Sequence, residues 1–268
     1  MKKIVSLLML LCLCLSLMTA VAEDSSAQLS SFSYEGEGFA TPQEAATNYL
    51  EGLQALDYSK MIRSFAIESY AINVDLKAEL TRLHVFFPTT ASTKFPGNQE
   101  FFININTEAR KNEVVMDIYF QFLTLFAPGI DASKGPIILK DENSIDEFMA
   151  LFPADASGIA QTIVIGECLD PFALNDMYVT EDFQNVLEQR RQVYGADEIQ
   201  SVPIWFSLHD KFYILGCDAV RYGEKWYLVS LTGNFGLLLD IPSASGSIIG
   251  GIVEVSRELI VQAQAYLP

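Results

Sequence analysis

The chain predicts an α+β protein in which a helical hairpin and a long helix pack on an antiparallel sheet that closes with a C-terminal β-meander. Three stretches carry this prediction. Residues 41–68 read as two short helices with a tight turn between them. A run marked by Val115, Ile118, Phe122 and Leu125 keeps helical spacing until Ala127, Pro128 and Gly129 break it. Residues 199–208, 212–221 and 225–231 are rich in β-branched and aromatic side chains, and short turns join them, which makes them an antiparallel meander.

Taken in order, residues 1–22 have the form of an export signal. Lys2 and Lys3 open it, residues 4–17 are apolar, and Ala20, Val21 and Ala22 supply a small-x-small cleavage site before Glu23. The apolar run is shorter than the about 20 residues a membrane span needs. An uncleaved anchor is the alternative. Cys12 and Cys14 each follow a leucine, where a lipid-modification site wants a small residue. Residues 23–40 are polar, small and glycine-rich, a flexible linker in which order is expected from Phe39 onward.

In the hairpin, Thr41 is the N-cap, Pro42 takes the first helical position and Glu44 completes a capping box. Ala45, Ala46, Tyr49, Leu50 and Leu53 share one face. Asp57 caps the second helix, whose buried face is Met61, Ile62, Phe65 and Ala66. Residues 75–83 form another short helix and 88–98 a loop. Residues 101–107 are ambiguous, because Phe101, Ile103 and Ile105 alternate as in a strand yet run straight into the long helix. Val114, Tyr119, Leu123 and Phe126 widen the apolar stripe of that helix. Arg110, Glu113, Asp117, Gln121 and Thr124 form the opposite stripe; Asp117 is the tempting acid there, but its polar companions mark a solvated face.

Residues 137–139 suggest a short strand, 144–152 a helix with Ile145, Phe148 and Met149 inward, and 161–169 a strand. Thr180 caps a further helix that stops at Gly195. The enlarged domain is expected over 41–233. The tail, 234–268, is rich in glycine and serine yet apolar, and is expected to pack on that domain and end in a helix near 257–266.

The chain has 17 Lys and Arg against 34 Asp and Glu, a net charge of −17. Without residues 1–22 the balance is 15 against 34, near −19 over 246 residues. Such a surface repels phosphate backbones, which argues against nucleic-acid binding. No second apolar run of membrane-spanning length follows.

The hairpin residues Thr41, Pro42, Gln43, Glu44, Ala45, Ala46, Tyr49, Leu50, Leu56, Asp57, Tyr58, Met61, Phe65 and Ala66, with Lys225, Trp226, Tyr227, Leu228 and Val229 in the closing strand, give the chain a recognisable order. It resembles the nuclear transport factor 2-like superfamily, which includes ketosteroid isomerase and polyketide-cyclase-like proteins. The resemblance implies a bent, cone-like sheet around the helices and a cavity inside it. It covers about 28 residues at one end and 35 at the other, and its motifs record capping and packing rather than chemistry. Residues 70–157 are longer than the family pattern. The alternative is a two-domain chain whose helical part, 41–152, stands apart from its β part.

Enzymes of that superfamily use a pocket carboxylate as base with a tyrosine or second acid as oxyanion donor. The candidate here is Glu167, which alternates with Ile163 and Ile165; a frayed, wet strand end is the alternative. His84 and His209 are the only histidines, so no metal site is expected, and no cofactor motif occurs. Cys168 and Cys217 would remain after cleavage, and two cysteines in an exported chain suggest a disulfide, with two separately buried thiols as the alternative. Aromatic side chains cluster in the meander, where one set is core and the other could line a cavity or a partner surface. The expectation is therefore an exported protein, extracellular or in the cell envelope, that binds a small apolar ligand or an envelope partner without catalysis. An isomerase or dehydratase using a pocket carboxylate, or a structural envelope component, are the alternatives.

Overall fold

Helix α1, Pro42–Ala55, begins on the capping box its sequence encodes. The Thr41 hydroxyl accepts the Glu44 N–H at 3.2 Å, and the Glu44 carboxylate accepts the N–H groups of Ala40 and Thr41 at 3.0 and 3.3 Å. Leu56, in the left-handed region at φ 50°, ends the helix, and Asp57 caps α2, Tyr58–Ile62. The turn is tight because Gly52 lies on Met61: a Cβ there would sit 2.8 Å from Met61 Cγ and 2.9 Å from its backbone nitrogen. Ala45, Ala46, Tyr49, Leu50, Leu53, Met61, Ile62, Phe65 and Ala66 are all buried.

The computed structural model describes residues 33–86, 94–130, 136–174, 176–231 and 251–265. The export signal, most of the expected linker, and the tail over 232–250 lie outside the described residues. The chain divides into two units, Met1–Tyr34 and Glu35–Pro268. Only Ser33 and Tyr34 of the first are described. Helical and β parts thus share the second unit rather than forming separate domains. Order also begins earlier than Phe39. The Glu35 carboxylate accepts the backbone N–H groups of Ile67 and Ser69 at 2.8 and 2.9 Å, and the Ser69 hydroxyl. It thereby supplies the cap that Ile67 cannot give α3, Glu68–Asn73.

α4, Leu76–Leu83, follows an Asp75 cap, and the 27-residue α5 spans Glu100–Phe126. The ambiguous residues 101–107 thus open α5 rather than pairing as a strand. Residues 137–139 are irregular and exposed, with Ile138 77% accessible. In α6, Glu142–Met149, no residue is buried, and Ile145 and Met149 expected inward are exposed. The short α7, Ala156–Ala160, leads into β1, Val164–Cys168. α8, Pro171–Leu174, and a 3-10 turn, Asp176–Val179, precede α9, Glu181–Tyr194, which runs from the Thr180 cap to Gly195 at φ 60°.

The sheet is antiparallel throughout, in the order β1-β2-β3-β4, with β5 also pairing β3. β2, Glu198–Leu208, and β3, Lys211–Tyr222, form a long hairpin through His209 and Asp210; β4, Lys225–Ser230, follows the turn at Gly223 and Glu224. The far edge of β3 is shared: residues 218–222 pair β4, and 212–215 pair β5, Ile252–Val255. α10, Arg257–Gln264, ends the described chain. The hairpin is stitched to the outer edge of β4. Phe39 exchanges backbone bonds with Trp226 at 3.0 and 2.9 Å, and Leu228 bonds Ser64 and Ala66 at 2.8 and 2.9 Å. Tyr49, Phe65, Ile204, Phe206, Leu215 and Leu228 are buried between the hairpin and the sheet, and Ile214 packs on the other sheet face with Leu169, Ile260 and Ala263. The architecture is α+β, with the hairpin and the long helix on an antiparallel sheet. No described helix is long and apolar enough to cross a membrane.

Candidate functional site

The polar stripe of α5 turns inward at Arg110 and Gln121 and partly at Glu113 and Asp117; Thr124 is exposed, as expected of a solvated face. Arg110 is 5% and Gln121 0% exposed, whereas Tyr119, placed on the apolar stripe, is 49% exposed. The reason is pairing. A polar side chain can be buried when it finds a hydrogen-bond partner, and each of these does. Asn106 accepts from the Phe95 N–H and donates to the Phe95 carbonyl, at 2.9 and 3.1 Å. The Tyr49 hydroxyl of α1 donates to Gln121. Arg110 Nε donates to the Ala66 carbonyl at 3.3 Å, one terminal nitrogen donates to the Val229 carbonyl of β4, and the other meets Glu113 at 2.6 Å.

Around that stripe lies a cavity of about 250 Å³, walled by α3, α4, α5, α9 and the end of β4. Its lining is overwhelmingly polar. Four of the chain's 17 basic residues, Arg82, Lys94, Arg110 and Arg190, line it together with Glu79, Glu113 and Asp117. The Arg110 guanidinium sits 4.6 Å and the Lys94 ammonium 5.2 Å from the centre of the Tyr70 ring, two cation–π contacts on one aromatic. Lys94 pairs with Glu79 at 3.1 Å, and Arg190 pairs at 3.1 Å with Asp218, which also accepts the Ser201 hydroxyl.

Electrostatics single out Asp117. Burial, and then the Glu113 charge, push its carboxyl up to about 6, against the pull of Arg110 and the Leu231 N–H. Burial raises Tyr194 to about 12 and Tyr70 further, so both stay protonated at neutral pH. For Arg110, burial works to lower the pKa, but Glu113 and Tyr70 outweigh it and keep the guanidinium charged. Burial likewise raises Asp218, opposed by Arg190 and Ser201. Neither the Tyr70 nor the Tyr194 hydroxyl has a hydrogen-bond partner among the described residues.

The residues singled out in the sequence lie elsewhere. Glu167 is exposed on β1 and does not line the cavity, because the strand end carrying it is open to solvent. Cys168 and Cys217 are both free. They stand on β1 and β3 with β2 between them, and two interstrand spacings, about 9.5 Å, exceed the reach of a bridge. Instead the buried Cys217 thiol donates to the Val202 carbonyl at 3.1 Å, and burial raises Cys168 to about 11. His84 and His209 occupy left-handed turn positions at φ 52° and 54°. Among the described residues no three His, Cys, Asp or Glu side chains come together as a metal site. Tyr70, Lys94 and Tyr194 carry no mark in the sequence, and Arg110 stands on the stripe read there as solvated. The signal for Arg110 is the repeat of polar residues at 106, 110, 113, 117 and 121 along one face of the helix.

A second cavity, of about 320 Å³, lies where α8 and α9 meet β2. Leu169, Phe172, Leu187 and Ile199 line it with glutamines, and no ionisable group does.

No protein-family model matches this chain, and no curated protein matches it. A solved structure described as a cystatin-like protein from Ruminococcus gnavus is similar to it, at 14% identity and a TM-score of 0.49. The likeness covers 80% of this chain, which spans 45% of the length of that one.

Proposed function

We propose that this chain is an exported binding protein, extracellular or in the cell envelope, whose α5 cavity holds a small polar molecule without transforming it. One observation carries the reading. Asp117, Tyr70 and Tyr194 line one pocket and carry hydrogen-bonding capacity that no described residue uses. Such groups can give and accept further hydrogen bonds from a polar molecule that replaces the water in the pocket. An apolar ligand fits this pocket poorly, since it would displace water and return no hydrogen bond. The polar lining therefore revises the ligand expected from the aromatic content. Export rests on the pattern of residues 1–22. The resemblance of the hairpin and closing strand to the nuclear transport factor 2-like superfamily supports a cavity-forming fold.

The test is a thermal-shift screen of the mature chain against polar metabolites. A ligand that raises the melting temperature of the wild type, but not of Asp117→Asn or Tyr194→Phe, supports the reading. Hits indifferent to both substitutions, or no hits, would overturn it.

A second reading has its own support. A carboxyl raised to about 6 in a cavity that two tyrosines also line supplies the types of group an isomerase-type site uses, base and oxyanion donor. It predicts that the wild type exchanges the α-protons of a bound carbonyl compound with heavy water, and that Asp117→Asn does not. Binding without such exchange rules it out.

A further inference from the structure

The charges lining the α5 cavity do not all find partners among the described residues, and the two left over have opposite sign. Lys94 is matched by Glu79, Arg110 by Glu113 and Arg190 by Asp218. Among the described residues Asp117 has no salt-bridge partner, and its carboxylate accepts the Leu231 N–H there, although a carboxylate has about four acceptor sites. Arg82, in the last turn of α4, lines the cavity, is exposed at its mouth, and pairs with no acid among the described residues. One anion inside and one cation at the entrance therefore stand uncompensated.

Building on the reading of this cavity as a ligand site, we propose that it recognises a small zwitterion of the α-amino-acid class, with the ammonium group on Asp117 and the carboxylate toward Arg82. A simple amine would meet Asp117 but leave Arg82 unmatched among three further cations. A simple carboxylate would do the reverse and face Asp117. A zwitterion answers both, and transfers no net charge into a pocket whose interior pairs are already balanced. The hydroxyls of Tyr70 and Tyr194, each able to donate or accept, can serve either end. Size agrees: about 250 Å³ falls below the roughly 300–1,000 Å³ of pockets that hold drug-sized molecules.

The same arrangement sets a pH dependence. Asp117 is faced by Arg110 and Glu113 of its own helix and by the Leu231 N–H; Glu79 and Arg82 of α4, Tyr70 of α3, Lys94, and Arg190 and Tyr194 of α9 line the cavity with it. An ammonium group needs the ionised carboxylate, so affinity falls as pH drops through about 6 and is about tenfold weaker at pH 5 than at pH 7.

Calorimetric titration decides it, with glycine, alanine, serine and glutamine as probes, ethanolamine and propionate as their one-charge counterparts, and glycerol and xylitol as neutral ones. The expected result is that at least one amino acid binds at least tenfold more tightly than any other probe. Asp117→Asn then abolishes that binding. Arg82→Gln, an exposed change that leaves the fold intact, weakens it about tenfold. Polyol binding that Arg82→Gln leaves unchanged would overturn the zwitterion while keeping the ligand site. Binding by none of the probes overturns the zwitterion, and the metabolite screen then reports separately on the site.

Discussion

The α1–α2 hairpin and helix α5 each bury one helical face, but the hairpin's is almost wholly apolar, whereas that of α5 mixes Val114, Ile118, Leu123, Leu125 and Phe126 with polar and charged side chains. In the hairpin the buried side chains are Ala45, Ala46, Tyr49, Leu50 and Leu53, all fully inaccessible. Full burial of a large apolar side chain contributes about 1.5–3 kcal/mol, so this face holds the fold together by area alone. Along α5 the inward groups include Asn106, Arg110 and Gln121, each satisfied by a distant backbone or side-chain partner. Such pairing roughly offsets the cost of desolvation rather than adding a large surplus. The hairpin face is thus closed and dry. The α5 face is balanced but unfinished, and that is what leaves a pocket beside it.

The two faces should fail differently. Arg110→Ala removes a guanidinium that ties α5 to Ala66 and to Val229 of β4, and strands Glu113 without its partner. Glu113 is partly exposed, but the Ala66 and Val229 carbonyls would be left without their donor, at about 1–3 kcal/mol each, together the largest effect expected here. Leu50→Ala leaves an apolar void and costs about 2–5 kcal/mol, weighted toward the lower end if neighbours collapse into it. Urea denaturation measures both. An Arg110→Ala protein as stable as the wild type would mean that the α5 face is not load-carrying and that the comparison is misdrawn.

Asp117→Asn sharpens the contrast, because it should stabilise the protein. An unfolded aspartate titrates near 3.9, whereas Asp117 in the fold is raised to about 6. Between about pH 4 and 6 the native state therefore holds more protons than the unfolded one, and stability falls as pH rises through that window. The loss is complete above pH 6 and absent below pH 4. Asparagine carries no charge to desolvate, so the variant should be more stable at pH 7 by about 1–3 kcal/mol, allowing for partial exposure, and equal to the wild type at pH 4. Denaturation at the two pH values checks the sign. A less stable variant at pH 7 would mean that the carboxylate is well solvated.

What could be read from the sequence follows the same division. Thr41, Glu44, Asp57 and the apolar spacing between them are local signals, and so are the turns at His209 and Gly223; hairpin and meander emerge with nearly the right boundaries. The cavity depends on partners far away in the chain. Arg110 was assigned to a wet stripe because amphipathic patterning treats polar as outward, and nothing near it announces that Ala66 and Val229 will present carbonyls. The cysteine pair needed strand order, which places β2 between them. Ile145 and Met149 illustrate the converse: their spacing marked an inner face, yet no residue of α6 is buried.

The smallest expected effect isolates the hairpin's ends from its face. Thr41→Ala deletes the hydroxyl that accepts the Glu44 N–H at 3.2 Å, but leaves the reciprocal half of the box, since Glu44 still accepts from Ala40 and Thr41. Pro42 has no N–H to lose, so one orphan donor, that of Glu44, is returned to water. An N-cap loss of this kind costs about 1 kcal/mol. Thr41→Ser keeps the acceptor and should recover most of it. Because Thr41 is exposed, neither change opens a cavity, and the denaturation slope should not alter with the midpoint. If Thr41→Ala and Thr41→Ser lose equal stability, the threonine methyl rather than the cap bond is responsible, and the hairpin's start then depends on packing just as its buried face does.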